Sequence, residues 1–220
     1  MKITIHIITA LMLIASVAYC HAQEKGFEGM YFNDFVTGNI FFSDGSTVDI
    51  PLNYNSLDEQ VVFLKDNEIL AIANYKNIDS IVVNKTVFVH GFGEAFFEKV
   101  KVADQHYYIR YKSVMISKGK GSAYGSYSET TSITNFESGT GSNGRYNSLQ
   151  INEAIRTNTS EIIYLKPNKD YIAITNLKKL IKIFKPHKAV ILEFSRKNHI
   201  DFDETDDIKK IVVFCLTGLE

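Results

Sequence analysis

Asp201, Asp203, Thr205 and Asp207 stand at alternate positions, as the oxygen ligands of a calcium-binding loop do. Such a loop also needs a glycine for its sharp turn and a bidentate glutamate at its end, and the chain has Asp206 and Val212 in those places. The carboxylates suit the start of a helix instead, where the positive end of the helix dipole stabilises them. Gly139 to Gly144 (GTGSNG) matches G-x-G-x-x-G letter by letter. It lies in a Gly/Ser-rich tract with no strand leading in and no helix following, and Arg145-Tyr146 replaces the Lys-Ser/Thr pair of a phosphate loop.

His90 and Glu94 flank Gly91-Phe92-Gly93, and an imidazole and a carboxylate across a tight turn could polarise water or share a metal. A metal needs three or four ligands, and only His106 is near in sequence as another, so an exposed hairpin turn is the expectation. His187 and His199 lack close partners and read as surface residues. Ser117-Lys118-Gly119-Lys120 contains S-x-x-K, but at a strand end running into glycines rather than on a helix, and there is no G-x-S-x-G. Cys215 sits in an apolar helical pattern and reads as a small buried hydrophobe, not a nucleophile. These residues predict no catalytic site, no metal and no cofactor: the chain does not read as an enzyme.

Two features remain that suit recognition. Lys118 to Ser148 is rich in Gly, Ser, Thr and Tyr, too poor in aliphatics to order itself as a core element; its composition favours an unstructured insertion or linker, the alternative being a flexible binding loop with Tyr124, Tyr127 and Tyr146 as the candidate binding residues. Lys178, Lys179, Lys182, Lys185 and Lys188 fall on one side of a helical pattern and could meet anionic lipid or another acidic partner. A solvated face with its aliphatic side packed inward is the expectation there.

The elements that must position these residues are mostly strands. Ser43-Asp44-Gly45-Ser46 lies between two β-rich runs, a strong hairpin signal because both central residues tolerate positive φ. Further runs follow at Gln60 to Lys65, Ile69 to Ala73, Ile78 to Val83, Thr86 to His90, Ala95 to Val102 and Gln105 to Ser117. Along the last, Tyr107, Ile109 and Tyr111 alternate with His106, Tyr108, Arg110 and Lys112. Glu161 to Leu165 and Tyr171 to Ile174 make another hairpin around Pro167-Asn168, returning to the same sheet. From Thr175 the period becomes helical: Leu177, Leu180, Ile181 and Phe184, then Val190, Ile191 and Phe194 after Pro186, then Ile208, Ile211, Val212, Cys215 and Leu216 before Gly218. The fold expected is α+β: a mainly antiparallel β body, sandwich or partly open barrel, with a short C-terminal helical segment.

Met1 to Ala22 has the layout of a cleavable secretory signal peptide: Lys2, an apolar run, and a small residue before Gln23. The run is too short and too interrupted to span a bilayer, so no transmembrane segment is expected after cleavage. Tyr19 precedes Cys20 where a lipoprotein signal needs a small residue, so cleavage after Ala22 is favoured over lipidation. Removing the leader takes away one lysine, leaving 23 basic and 25 acidic residues and no basic excess to hold nucleic acid. Only Cys215 would remain, so no intramolecular disulfide can form. The resulting layout is leader 1–22, β-rich body 23–117, Gly/Ser/Tyr loop 118–148, completing hairpin 149–174, and helices 175–220.

The GNIFFSDGSTVDIPLNYN opening, the FFEKVKVADQHYYIRYK segment, the IIYLKPNKDYIAI hairpin and the closing DETDDIKKIVVF helix together resemble secreted proteins of unknown function common in Bacteroidetes. The resemblance implies export to the periplasm or cell surface, a β body with terminal helices, and no catalytic residues. The function expected is therefore that of an exported non-catalytic binding or structural protein of the bacterial cell envelope, with an envelope protein or glycan as partner. The alternative is a carrier of small hydrophobic ligands, with Phe41, Phe63, Phe88, Phe96 and Tyr107 lining a barrel interior.

Overall fold

The computed structural model describes residues 29–117 and 155–219. The leader, the Gly/Ser-rich tract and its Tyr124, Tyr127 and Tyr146 lie outside the described residues. Ten strands make one antiparallel open sheet: β1 (Val36–Phe42), β2 (Thr47–Asn55), β3 (Gln60–Lys65), β4 (Glu68–Ala71), β5 (Ile78–Val83), β6 (Thr86–His90), β7 (Phe96–Val102), β8 (Gln105–Ser117), β9 (Ile155–Leu165) and β10 (Ile172–Ala173). Three helices follow: α1 (Leu177–Ile183), α2 (Lys188–Lys197) and α3 (Thr205–Thr217). The spatial order is β10-β9-β8-β7-β6-β5-β1-β2-β3-β4, so two meanders of consecutive strands meet where β5 pairs with β1.

Local chemistry accounts for the hairpins. At Asp44-Gly45 the glycine takes φ 85° and the Asp44 carboxylate accepts hydrogen bonds from the Ser46 amide and hydroxyl at 2.9 and 2.6 Å. Those bonds hold the Asp44 carboxyl below its usual range. Asp66-Asn67 and Asn84-Lys85 each place two successive residues at positive φ, the turn whose twist matches that of the flanking strands. β1 approaches β5 closely at Gly38, where a Cβ would lie 2.4 Å from the Val82 carbonyl oxygen.

The sheet curls on itself. Pairing between β7 and β8 stops at Glu98 with Ile109, which leaves the edge of β8 beyond that point open. The β2–β3 turn comes round to fill it: the Ser113 amide donates to the Ser56 carbonyl and the Phe96 amide to that of Glu59, each at 2.8 Å. Tyr54, fully buried, occupies the middle of the curl; its ring stacks on Phe88 at 4.9 Å and its hydroxyl donates to the carbonyls of Phe96 and Tyr111 at 3.2 and 3.1 Å. Burial, with the nearby Glu59 charge, pushes the Tyr54 phenol far above its ordinary value. The architecture is a single, partly closed sheet rather than two stacked ones.

Strand alternation sends Tyr107, Ile109 and Tyr111 into the main core, where they meet Phe88, Phe96, Ile163 and Leu165. Of the five aromatics expected inside, Phe88, Phe96 and Tyr107 are buried, Phe63 is partly so, and Phe41 is 38% exposed. The helices add Leu180, Ile191, Ile208, Ile211, Val212 and Cys215 to the same core. α3 packs on β7, β8 and β9, and Lys209 pairs with Glu161 of β9 at 2.5 Å. Val190, expected on the buried stripe of α2, is 46% exposed instead. The strand β9 begins at Ile155, six residues ahead of the hydrophobic run, because the polar stretch Thr157 to Ser160 pairs with Met115 to Lys112 and needs no apolar pattern to do so.

Candidate binding surface

The residues singled out for chemistry are not brought together. The ring nitrogen Nε2 of His90 donates to the Gly93 carbonyl at 2.8 Å, while Glu94 accepts from Gln60 Nε2 at 2.8 Å, so that pair serves the turn and a neighbouring loop. His106 lies on β8, with its cross-strand partner Lys101 and with Lys99 close enough to depress its pKa after burial has done so. The acidic run at the start of α3 ties down the loop that leads into it: Asp207 Oδ2 accepts from the Asp201 amide at 3.0 Å and Asp201 Oδ1 from the Asp203 amide at 2.9 Å. Cys215 is buried, and burial pushes its thiol up to about 12, far from the range of a reactive thiolate. Among the described residues no three metal-ligating side chains converge.

What the fold does assemble is an aromatic cluster on the sheet face opposite the helices. β7, β8 and β9 send alternate residues there: Phe97, Tyr108, Ile162 and Tyr164, with Tyr171 and Ala173 added around β10. Phe97 is fully buried at the centre. Tyr164 stacks on it at 5.1 Å, Tyr171 meets it edge-on at 5.1 Å, and Phe92 from the β6–β7 turn does the same at 5.1 Å. Tyr108 meets Tyr171 edge-on at 4.9 Å. These separations and angles are those at which the ring quadrupoles attract. Gly91 makes the cluster possible, since a Cβ there would stand 2.7 Å from ring carbons of Phe97.

The rim is charged. The Arg110 guanidinium lies 5.0 Å from the Phe92 ring centroid and also binds Glu59 with two hydrogen bonds, Nη2 to Oε1 at 2.9 Å and Nε to Oε2. Lys166 Nζ lies 4.4 Å from the Tyr171 ring centroid. Both are cation–π arrangements. The Tyr171 hydroxyl donates to the His90 carbonyl at 3.1 Å, and burial pushes that phenol up to about 12. Phe92, 44% exposed, is the most open ring of the set, with Tyr108 and Tyr171 half-buried. The result is a shallow platform of rings with fixed cations and a carboxylate at its edge, able to hold a ligand by stacking and hydrogen bonds.

Sequence reasoning placed Tyr108 and Arg110 on one strand face but did not see this cluster, because its members come from four strands and two turns. A signal was present in the alternation of β8, where an outward set containing an aromatic and a cation is unusual for a purely solvated face. A separate cavity of about 390 Å³ lies between the β7–β8 turn and the helices, lined by Asp104, Phe184, His187, Cys215, Leu216 and Leu219 among others. No protein-family model, no curated protein and no solved structure matches the chain.

Proposed function

We propose that the protein is an exported, non-catalytic binding module of the bacterial cell envelope, and that the ring platform around Phe97 holds a glycan. The observation that carries this reading is the pairing of Phe92 and Tyr171 with cations over their rings on a sheet face that none of the described helices covers. Sugar rings present flat apolar C–H faces that stack on aromatics and hydroxyls that bond to charged neighbours, so an amphipathic aromatic surface with a polar rim is complementary to them. The leader supplies the argument for export. A panel of envelope polysaccharides and peptidoglycan fragments, titrated into wild type and into Phe92→Ala and Tyr171→Ala, tests the reading. Binding by wild type that both variants lose supports it; no binding across the panel, or binding that both variants keep, sinks it.

A second reading, a carrier of small ligands, is favoured by the 390 Å³ cavity beside α3, whose size suits a small molecule. That cavity lies outside the curl, whose interior is occupied by Tyr54, Phe88 and Phe96. Displacement of an environment-sensitive apolar dye, and its loss in Leu216→Gln, separates this reading from the first.

A further inference from the structure

We infer that the segment from α1 to the start of α2 is a docking surface for anionic lipid bilayers, separate from the ring platform and independent of the glycan reading. Lys178, Lys179 and Lys182 on α1, Lys185 in the turn Lys185–His187, and Lys188 at the start of α2 are all exposed. None takes part in an ion pair among the described residues. No acidic residue occurs between Asp170 and Glu193, so nothing within the segment neutralises them. Lys178, Lys182, Lys185 and Lys188 follow one another at intervals of three or four residues, one turn at a time.

The placement works against local stability. α1 carries two lysines and no acid in its first turn, where the positive end of the helix dipole repels cations. Lys178 and Lys182, four apart, and Lys179 and Lys182, three apart, repel each other as well. Solubility alone would be served as well by lysines near the end of the helix or by mixed charge. An arrangement that costs the helix something and leaves five cations without an ion pair among the described residues fits a surface that meets negative charge.

The choice of a bilayer over a soluble polyanion rests on what lies between the lysines. Pro186, Ala189 and Val190 are exposed there, Val190 by 46%, so the cations border aliphatic surface. The aromatic in the segment, Phe184, is packed against the core rather than offered as a stacking platform. Single-stranded nucleic acid would use such platforms, whereas lysines around shallow aliphatic groups suit headgroups above hydrocarbon. The opposite side of α1 is fixed by Leu180, which is fully buried. The helix therefore presents its lysines without needing to reorganise.

The experiment uses the protein as processed by the producing cell. It is co-sedimented at low salt with vesicles of phosphatidylcholine alone and of phosphatidylcholine with phosphatidylglycerol. Heparin and duplex DNA serve as soluble polyanion arms. At roughly fivefold in partitioning per lysine near an anionic surface, Lys178→Gln/Lys182→Gln is expected to weaken binding to the anionic vesicles by about 30-fold. Raising the salt to several hundred millimolar is expected to weaken it too. Lys65→Gln/Lys85→Gln removes two exposed lysines from distant turns and should leave binding intact. Equal binding to both vesicle types, no binding to either, binding unchanged in the α1 variant, or a soluble polyanion held as tightly through the same lysines would each overturn the inference. Because the substituted side chains are exposed, circular dichroism should show an unchanged fold.

Discussion

Phe92 and Phe97 touch in the same cluster, yet the ring-platform reading requires opposite things of them. Phe97 is fully buried. Its truncation to alanine removes a packed ring and leaves a cavity, which costs about 3–5 kcal/mol. Phe92 is 44% exposed, so about half of the transfer value of a phenylalanine is at stake, plus a share of its edge contact with Phe97: about 1–2 kcal/mol in all. For a domain of this size each kcal/mol shifts the melting temperature by about 2–4 °C, so Phe92→Ala should lose about 2–8 °C and Phe97→Ala about 6–20 °C. With an ordinary stability of at least ~5 kcal/mol, Phe92→Ala remains more than about 99% folded at 25 °C. Its loss of ligand binding, expected at about three- to tenfold for one stacked ring, then cannot come from unfolding. Urea denaturation gives the first quantity and a binding isotherm on the best glycan of the panel gives the second. If Phe92→Ala destabilises as much as Phe97→Ala, the cluster is simply a second core; if it binds like wild type, the platform is not the site.

Tyr54→Phe keeps the ring stack on Phe88 and removes only the hydroxyl shared between the carbonyls of Phe96 and Tyr111, so a loss of about 1–2 kcal/mol is expected; a loss below about 0.5 kcal/mol would show that the tie across the curl contributes nothing net. His106 should titrate below 6.5, through burial first and then the charges of Lys99 and Lys101, and added salt should move it part of the way back. With its folded pKa below the unfolded one, the native state binds fewer protons, so its contribution to stability is fully present above pH 6.5 and declines as pH falls through that value. An NMR titration placing His106 at or above 6.5 would contradict the geometry of the β7–β8 hairpin.

How much of this was legible in the sequence follows from the range of the forces involved. Asp44-Gly45, Asp66-Asn67 and Asn84-Lys85 act through their own backbone torsions, and the strands between them could be read to within a residue or two. The helix stripes were legible for the same reason, with Leu180, Ile191, Ile208, Ile211 and Val212 buried as their spacing required. Val190 escaped that logic because that side of α2, with Pro186 four residues before it and Glu193 three after it both exposed, faces water. The first half of β9 escaped because pairing to the long strand β8 satisfies its backbone whatever its side chains are. A partly open barrel was one of the two forms the strand pattern allowed, but which strands close the curl was not legible: Ser56, Glu59, Phe96 and Ser113 are joined by main-chain hydrogen bonds, with one hydroxyl contact between the two serines at 2.7 Å, and neither carries a pattern readable at that sequence separation. The ring platform inherits that obscurity, since Glu59 reaches Arg110 only because the curl brings the β2–β3 turn over β8.

A ten-stranded sheet has two faces to cover, and among the described residues the curl and three short helices serve one of them. Over β7 to β10 the other face is covered by rings held in turns and at strand ends. If excluding water were all that Phe92 and Tyr171 did, aliphatic side chains would serve, and no cation would be needed over either ring. Lys166 separates the two roles. It is exposed and meets the cluster at the Tyr171 ring, so Lys166→Met, which keeps the aliphatic stem and removes the charge, should cost at most about 0.5–1 kcal/mol of stability. A ligand stacked on Tyr171 would lose a charged neighbour for its hydroxyls or carboxylates, and a hydrogen bond to a charged group is worth about 1.5–3 kcal/mol, or roughly 10- to 150-fold in affinity. Thermal denaturation and the binding isotherm of Lys166→Met should therefore diverge, with the melting temperature nearly unchanged and the affinity down by at least tenfold. If both stay at their wild-type values, Lys166 is only a solvated charge and the rim takes no part in recognition.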